Sequence, residues 1–485
     1  MIHIRDLSVH FGEIFALQDV SLHIPAGQSV LVTGPSGCGK STLAKALCGL
    51  IPHALGASMS GAIQIAGMNT QAHTISELAQ RVGLVFQNPA SQLFHLRVAD
   101  EVAFGPRNLG LDEQIVQART TWALQVTGIT AIKERNPAQL SGGQKQCVAI
   151  AAVLAMQPDV LVLDEPTASL DVPNTKQVMA VLQTLQNTLG ITIVLIEHRL
   201  SAVLPLVDRV LLLEMGRVVA DGAPQDVLSD GARCRQLGLR RPADKPMDSW
   251  SELIRPNGHV VTPNAPLLSL HQVTAGYNRQ NVIHNVDLSI YPHDFMALVG
   301  DNGAGKSTLA QVAAGLIKPA AGRVSFQGGK RPQPGLDVTM LFQNPADQVF
   351  TDSVDEEVRF GPENYGRFNP NHHQEILTEI DLLPLRRRSP IALSVGQQQR
   401  TALAACIALQ PRLVILDEPT LGQDWGHLQQ LMEYLLQLNR RGTAVLLISH
   451  DYKLVFRYAR RVVLMENGRI KMTGRFESKY DNERS

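Results

Sequence analysis

Gly34-Pro35-Ser36-Gly37-Cys38-Gly39-Lys40-Ser41-Thr42 follows the apolar run Ser29–Thr33 and opens the helix-like stretch TLAKALCGL. Glycines let backbone N–H groups curl around phosphate oxygens without Cβ clashes, and a helix N-terminus adds partial positive charge. In that setting Lys40 is expected to reach the β- and γ-phosphates of a nucleotide and Ser41 to ligate Mg²⁺. The stretch returns 266 residues later as Gly300-Asp301-Asn302-Gly303-Ala304-Gly305-Lys306-Ser307-Thr308, behind the apolar run Met296–Val299. One glycine-rich turn with a lysine can be incidental. Two, each behind an apolar run, point to two phosphate sites, with Lys306 and Ser307 repeating the roles of Lys40 and Ser41.

Outward from these loops the repeat continues. VFQNPASQLF (85–94) returns as LFQNPADQVF (341–350), LSGGQ (140–144) as LSVGQ (393–397), LVLDEPTASLD (161–171) as VILDEPTLGQD (414–424), and IEH (196–198) as ISH (448–450). Five elements in one order indicate a duplicated domain. The expected boundaries are a first copy over 1–233, a connector over 234–264 that loses periodicity and holds four prolines, and a second copy over 265–480. Runs such as Val160–Leu163 and Ile193–Ile196 end at acidic residues, as buried strands of a largely parallel sheet do. The stretch after Leu140 has a small polar start and an apolar body, which predicts a helix. Strands alternating with helices give an α/β domain, made twice.

Composition sets the outer limits. With 44 basic and 44 acidic side chains the formal charge is zero, so the global field of a nucleic-acid-binding protein is lacking and no nucleic-acid partner is expected. Apolar residues at 44% against 18% charged exclude a disordered chain. No run of 18 uninterrupted apolar residues occurs, and MIHIRDLSVHFGE carries charges where a secretory leader needs an apolar core. Cys38, Cys48, Cys147, Cys234 and Cys406 form no CxxC pair, which suggests a reduced, intracellular protein.

VLVLDE (160–165) and LVILDE (413–418) supply the carboxylates such a loop needs nearby. Asp164 and Asp417 are expected to hold Mg²⁺ mainly through its waters, and Glu165 and Glu418 to orient and deprotonate the attacking water. These residues define a nucleotide hydrolase without saying what hydrolysis drives.

The LSGGQ element narrows the class. With it the chain resembles the nucleotide-binding subunits of ATP-binding-cassette (ABC) proteins over nearly its whole length, twice. The resemblance implies two tandem P-loop NTPase (ABC ATPase) domains, each with a mainly parallel sheet core and a helical subdomain. It also implies intramolecular pairing of the two domains around two ATP molecules, each lying between the P-loop of one copy and the signature of the other. Ser141 with Gly143, and Ser394 with Gly396, would present a helix start to the γ-phosphate. Gln87 and Gln343 match the Q-loop glutamine, which senses Mg²⁺ and the transmembrane partner. His198 and His450 match the switch histidine, Asp171 and Asp424 the D-loop aspartate, and Phe11 and Tyr277 the aromatic stacked on adenine. Val395 departs from the pattern where glycine is usual, restricting the backbone. The site of Lys40 and Glu165, which that signature would complete, is expected to be slower or tuned, while the site of Lys306 and Glu418 keeps full activity.

Both copies also carry FQNP-x-x-Q, followed by Glu101-Val102-Ala103-Phe104-Gly105-Pro106 or Glu357-Val358-Arg359-Phe360-Gly361-Pro362. This is similar to the ATPase subunits of energy-coupling-factor (ECF) importers, in which the segment lines the groove for coupling helices of a transmembrane subunit. The resemblance implies an ATPase driving uptake of a vitamin, vitamin precursor or transition-metal ion. Partners would be an integral membrane transmembrane subunit and a separate membrane substrate-binding subunit, with the chain peripheral at the cytoplasmic face of the membrane. The acids would form a rim for basic residues, and Phe and Val an apolar floor. A twin-ABC translation factor is the alternative, but its long charged helical linker is missing. A tandem sugar-importer ATPase usually has a degraded second P-loop, whereas Gly305-Lys306-Ser307 is intact, and DNA-repair ABC ATPases bring zinc cysteines or coiled coils.

Overall fold

Val30 and Val32 pack into one apolar cluster while Leu31 packs into another, and the same alternation splits Val160 and Val162 from Leu161 and Leu163. A strand that sends successive side chains to opposite faces, with both faces buried, belongs to the centre of a layered α/β domain. The computed structural model describes residues 1–168, 170–198, 200–237, 239, 250–256, 265–278, 280–420, 422–423 and 425–476. Two units, Met1–Pro246 and Met247–Ser485, divide the chain.

In the first unit, β1 (Ile2–Phe11), β2 (Ile14–Ile24), β4 (Ser58–Ile65) and β5 (Met68–Asn69) form an antiparallel sheet in the order β2-β1-β4-β5. The central sheet contains β3 (Ser29–Thr33), β6 (Val82–Val85), β7 (Val160–Asp164), β8 (Thr192–Ile196), β9 (Arg209–Glu214) and β10 (Arg217–Gly222), in the order β10-β9-β3-β8-β7-β6. All its neighbours are parallel except the β9–β10 pair. One face meets the antiparallel sheet and α1 (Lys40–Leu47) through Ile2, Ile4, Leu43 and Leu47. The other is covered by α4 (Gly142–Leu154) and α5 (Val172–Leu189). Against α4 pack α2 (Val98–Asn108) and α3 (Glu113–Val126), the helical subdomain.

The second unit repeats this plan. β12 (Leu268–Tyr277), β13 (Gln280–Ile290) and β15 (Ala321–Phe326) pair antiparallel. The central sheet runs β11-β20-β19-β14-β18-β17-β16, with β11 (Ile254–Pro256), β14 (Phe295–Val299), β16 (Val338–Leu341), β17 (Leu413–Asp417), β18 (Ala444–Ile448), β19 (Arg461–Glu466) and β20 (Arg469–Phe476). Its main helices are α6 (Lys306–Ala313), α7 (Val354–Asn364), α8 (Pro370–Glu379), α9 (Val395–Ala408) and α10 (Trp425–Arg440). The strand β11, inside the stretch expected to be a connector, pairs with β20 and extends this sheet by one edge. Likewise Cys234, Leu237 and Leu239 are buried in the first unit's helical-side cluster, so parts of 234–264 are packed.

The topology decides where chemistry can occur. In each central sheet four adjacent parallel strands end on the same side, and the loops after β3, β8, β7 and β6 carry the P-loop, His198, Glu165 and Gln87. The loops after β14, β18, β17 and β16 carry their counterparts. The carboxyl edge of such a sheet is where ligands gather in open α/β folds.

Candidate nucleotide sites at two sheet edges

Residues 34–42 form the loop between β3 and α1 and its first helical turn, and 300–308 do the same between β14 and α6. Gly34 has φ +150°, and a Cβ there would lie 2.1 Å from the Leu213 carbonyl oxygen; at Gly300, φ +140°, it would lie 2.2 Å from that of Met465. Only glycine lets the loop leave the strand this close to its neighbour. Lys40 is buried within the curl, its Nζ donating to the carbonyls of Gly34 (2.9 Å) and Pro35 (2.7 Å). Lys306 is buried likewise, donating to Gly300 and Asp301, both at 2.8 Å. Each ammonium therefore sits inside a ring of backbone, placed to meet an anion.

The carboxylates stand two strands over, after β7 and β17, with β8 and β18 in between. Ser41 Oγ donates to Asp164 Oδ1 at 3.3 Å, and Ser307 hydrogen-bonds Asp417 in the same way. Burial, with Glu165 beside it, pushes the Asp164 carboxyl up to about 6, and burial pushes Asp417 up as well. Glu165 and Glu418 are both left-handed, φ +48° and +51°, a conformation non-glycine residues adopt at a cost of order 1–3 kcal/mol. Each is pinned there by its own amide, which donates to the carbonyl of Ile196 or Ile448 at 2.9 Å.

Beyond that the sites differ. Gln87 Nε2 donates to Glu165 Oε2 at 2.7 Å, and His198 Nε2 lies 3.3 Å from Oε1. Burial raises the Glu165 carboxyl, but His198, Lys40 and Gln87 together outweigh it and hold it below its ordinary range. In the second unit His450 Nε2 lies 3.4 Å from Glu418 Oε1, while the His450 amide (3.3 Å) and Ser449 Oγ (3.5 Å) donate to Oε2. The His450 ring also meets Asn302 Oδ1 of the P-loop at 2.8 Å. Gln343 is exposed and, among the described residues, makes no hydrogen bond.

The ABC transporter family matches residues 17–168 and 283–421, each stretch holding one P-loop, one Q-loop glutamine and one Asp-Glu pair, while His198 and His450 lie beyond them. The chain belongs to the ABC transporter family. A Methanosarcina mazei protein assigned as an ABC transporter ATP-binding protein is 37% identical, covering 96% of this chain and 87% of its own length. One from Caldanaerobacter subterraneus with the same assignment is 32% identical over 99% of this chain and 92% of its own. A solved structure described as cbiO1 from Clostridium perfringens, part of the ABC transporter complex cbiONQ, is 36% identical over 50% of this chain and 95% of its own, with a TM-score of 0.44. The chain is thus an ATP-binding ABC ATPase with two ATPase regions.

The remaining motif residues are held within their own units. Ser141 caps α4, accepting from the Gln144 amide (3.3 Å) while Gln144 Oε1 accepts from the Ser141 amide (3.1 Å), and Ser394 with Gln397 repeats this box on α9. The glycines after each cap answer to packing within their own unit. A Cβ on Gly143 would fall 2.2 Å from Asn174 Oδ1, and one on Gly396 would fall 2.3 Å from the Gly422 carbonyl oxygen. Val395 fits against Gly422, and Gln423 Nε2 donates to the Gly396 carbonyl at 2.6 Å. Buried Arg400 meets Gln423 Oε1 at 3.5 Å. The first unit has apolar Leu170 and Cys147 at the positions of Gln423 and Arg400. Asp171 caps α5 by accepting from Asn174, and Asp424 lies outside the described residues. Phe11 and Tyr277 are exposed at the ends of β1 and β12, and Tyr277 OH donates to Gln311 on α6 at 2.5 Å.

The acidic rim requires correction. Glu101 and Glu357 are each only 3% exposed. Glu101 Oε2 accepts from the amides of Phe94 and His95 at 2.8 Å, and Glu357 Oε2 from those of Phe350 and Thr351 at 2.9 Å. Val102 and Val358 are fully buried too. A carboxylate that accepts two amides in a dry site is a structural clamp. What each helix and the loop before it do present is an aromatic pair. Phe94 and Phe104 meet edge-on at 4.8 Å and 88°, Phe350 and Phe360 at 4.9 Å and 89°, and all four are 38–65% exposed. The terminal glutamines of FQNP-x-x-Q hold the preceding loop: Gln92 bonds the Phe86 amide (3.1 Å) and Leu84 carbonyl (3.0 Å), and Gln348 bonds those of Phe342 and Met340.

Glu197 escaped the sequence reading. It is buried at the end of β8, and its only signal was the Glu-to-Ser difference between IEH and ISH.

Proposed function

We propose that the chain is the energy-coupling ATPase of an ECF-type importer, binding ATP with Mg²⁺ at both P-loops and driving uptake of a vitamin, vitamin precursor or metal ion. Its partners are an integral transmembrane subunit and a separate membrane substrate-binding subunit, and it lies peripherally at the cytoplasmic face. Among the described residues no helix is long and apolar enough to cross a membrane, so a spanning path has to come from a partner. The observation that carries the reading is the pair of clamped, exposed aromatics directly after each Q-loop. Large rings held in fixed geometry against water suit the apolar anchors of a docking helix, and the Q-loop between them and Glu165 links docking to chemistry.

At each site Lys40 or Lys306 binds the phosphates. Ser41 with Asp164, and Ser307 with Asp417, offer hard oxygen donors suited to Mg²⁺, and Gln87 and Gln343 would complete the set. The raised Asp164 carboxyl fits a place that a cation would complement. Bound there, Mg²⁺ would neutralise charge on the phosphates. Glu165 and Glu418 take the proton of the attacking water, and His198 and His450 orient them and the γ-phosphate.

The test is co-purification from detergent-solubilised membranes through a tag on this chain, with mass spectrometry of what is captured. A polytopic membrane protein together with a small membrane subunit is expected, and its capture should be lost in a Phe94→Ala/Phe350→Ala variant that still turns over ATP. Capture of ribosomes without membrane proteins would overturn the reading in favour of a translation factor.

A further inference from the structure

Glu197 is 1% exposed and lies between the two loops that frame Glu165. Its Oε2 accepts from Thr167 Oγ1 at 2.5 Å and from the Thr167 amide at 3.3 Å; Thr167 stands two residues past Glu165. Its Oε1 accepts from the His198 amide at 2.9 Å. Its own carbonyl accepts from Thr33 Oγ1 at 3.1 Å, tying the same residue to the strand that enters the P-loop. One carboxylate thus joins the turn after β7 to the loop after β8.

The second unit shows the alternative wiring. Ser449 stands where Glu197 does, and Val299 where Thr33 does. There the His450 amide donates to the catalytic carboxylate Glu418 itself, and Ser449 Oγ joins it. In the first unit Glu197 takes the histidine's amide, and Glu165 Oε2 is held by Gln87 instead. A backbone amide has one hydrogen to give, so the His198 amide engaged by Glu197 is not given to Glu165 as the His450 amide is to Glu418.

We infer that Glu197 is a positioning residue that takes over the His198 amide and thereby leaves Glu165 to the Q-loop, making the first site respond to Gln87 in a way the second site does not respond to Gln343. This rests on the reading of Glu165 as the base for water. Glu197 touches no reacting atom; it acts through the placement of His198 and Glu165.

The test measures ATP turnover by the intact chain for Glu197→Ser, Glu197→Gln, Gln87→Ala and the Glu197→Ser/Gln87→Ala double variant. Read in a Glu418→Gln background, where the first site's turnover is seen by itself, Glu197→Ser should lower kcat on the order of tenfold and leave KM within about twofold. Glu197→Gln keeps an acceptor for the His198 amide and should stay within about threefold of the unchanged chain. The double variant should be no slower than the slower single, because both changes act through the one hydrogen bond between Gln87 and Glu165. An unchanged kcat in Glu197→Ser, or losses that multiply in the double, overturns the inference. If Glu197→Ser does not fold, Thr167→Val replaces it in the same cycle, with the same two outcomes deciding. Glu165→Gln keeps the two readings separable: wild-type turnover there defeats the assignment of the base, whatever Glu197 does.

Discussion

The two sheet edges carry the same loops in the same order, yet their glutamates are held differently. Glu165 lies between a Q-loop glutamine and a histidine ring, whereas Glu418 lies between a histidine ring, that histidine's amide and a serine hydroxyl. The His450 ring is in turn shared with Asn302 of the P-loop, where the first unit has Ser36. The residues that differ, Glu197 against Ser449, Thr33 against Val299 and Ser36 against Asn302, occupy variable positions within or beside the motifs. A duplicated fold therefore preserves the frame of a site while single residues within or beside the motifs rewire its hydrogen bonds.

The comparison can be broken most sharply at the glutamates. Glu165→Gln and Glu418→Gln should each cut ATP turnover, the larger loss on the order of 100-fold, as expected for removal of a general base. Steady-state rates should show Glu418→Gln to be the more damaging; equal losses would abolish the functional asymmetry. Next come the lysines. Lys40→Ala and Lys306→Ala should each weaken one of two ATP-binding events by about 2 kcal/mol, roughly 30-fold, in a calorimetric titration. Unchanged binding in both would refute the phosphate sites.

Smaller effects sharpen the picture of the signatures. Gln423→Leu installs the first unit's residue and strips the buried Gly396 carbonyl and Arg400 of a partner. It should destabilise the second unit by about 1–3 kcal/mol, visible in thermal unfolding, while Leu170→Ile in the first unit should barely register. A neutral Gln423→Leu would mean that the second signature needs no polar lock. The smallest effect is expected from Val395→Gly, a rise in turnover of about threefold or less. A fall would show that Val395 is tuned to its seat against Gly422.

Much of this was legible beforehand. The strands Ser29–Thr33 and Val160–Asp164 and the helix after Ser141 follow from apolar runs and a small polar cap. The P-loops and the Asp-Glu pairs stand at ends of the same sheet, but with β8 or β18 between them rather than on neighbouring strands. The acids of the second repeated segment misled because exposure was assigned from charge. Glu101 and Glu357 are buried because two amides left over by a tight loop needed acceptors. That requirement is created by the loop's path, which residue type does not reveal. The aromatic pairs were visible as residues but not as pairs, since Phe94 and Phe104 meet only when the loop folds onto α2.

By itself the sequence determined the duplication, the α/β class and the residue types at both phosphate sites, because periodicity, glycine spacing and repeated order are local properties of a chain. Only the tertiary structure decided which donors reach which carboxylate oxygen. Thr33, Gln87, Glu165, Thr167 and Glu197 come from four different strand ends. Hydrogen bonds among them depend on separations of a few tenths of an ångström that the packing of parallel strands sets. A Glu-to-Ser difference next to a histidine looks like drift in the sequence. At the sheet edge it changes what holds the carboxylate proposed to activate water.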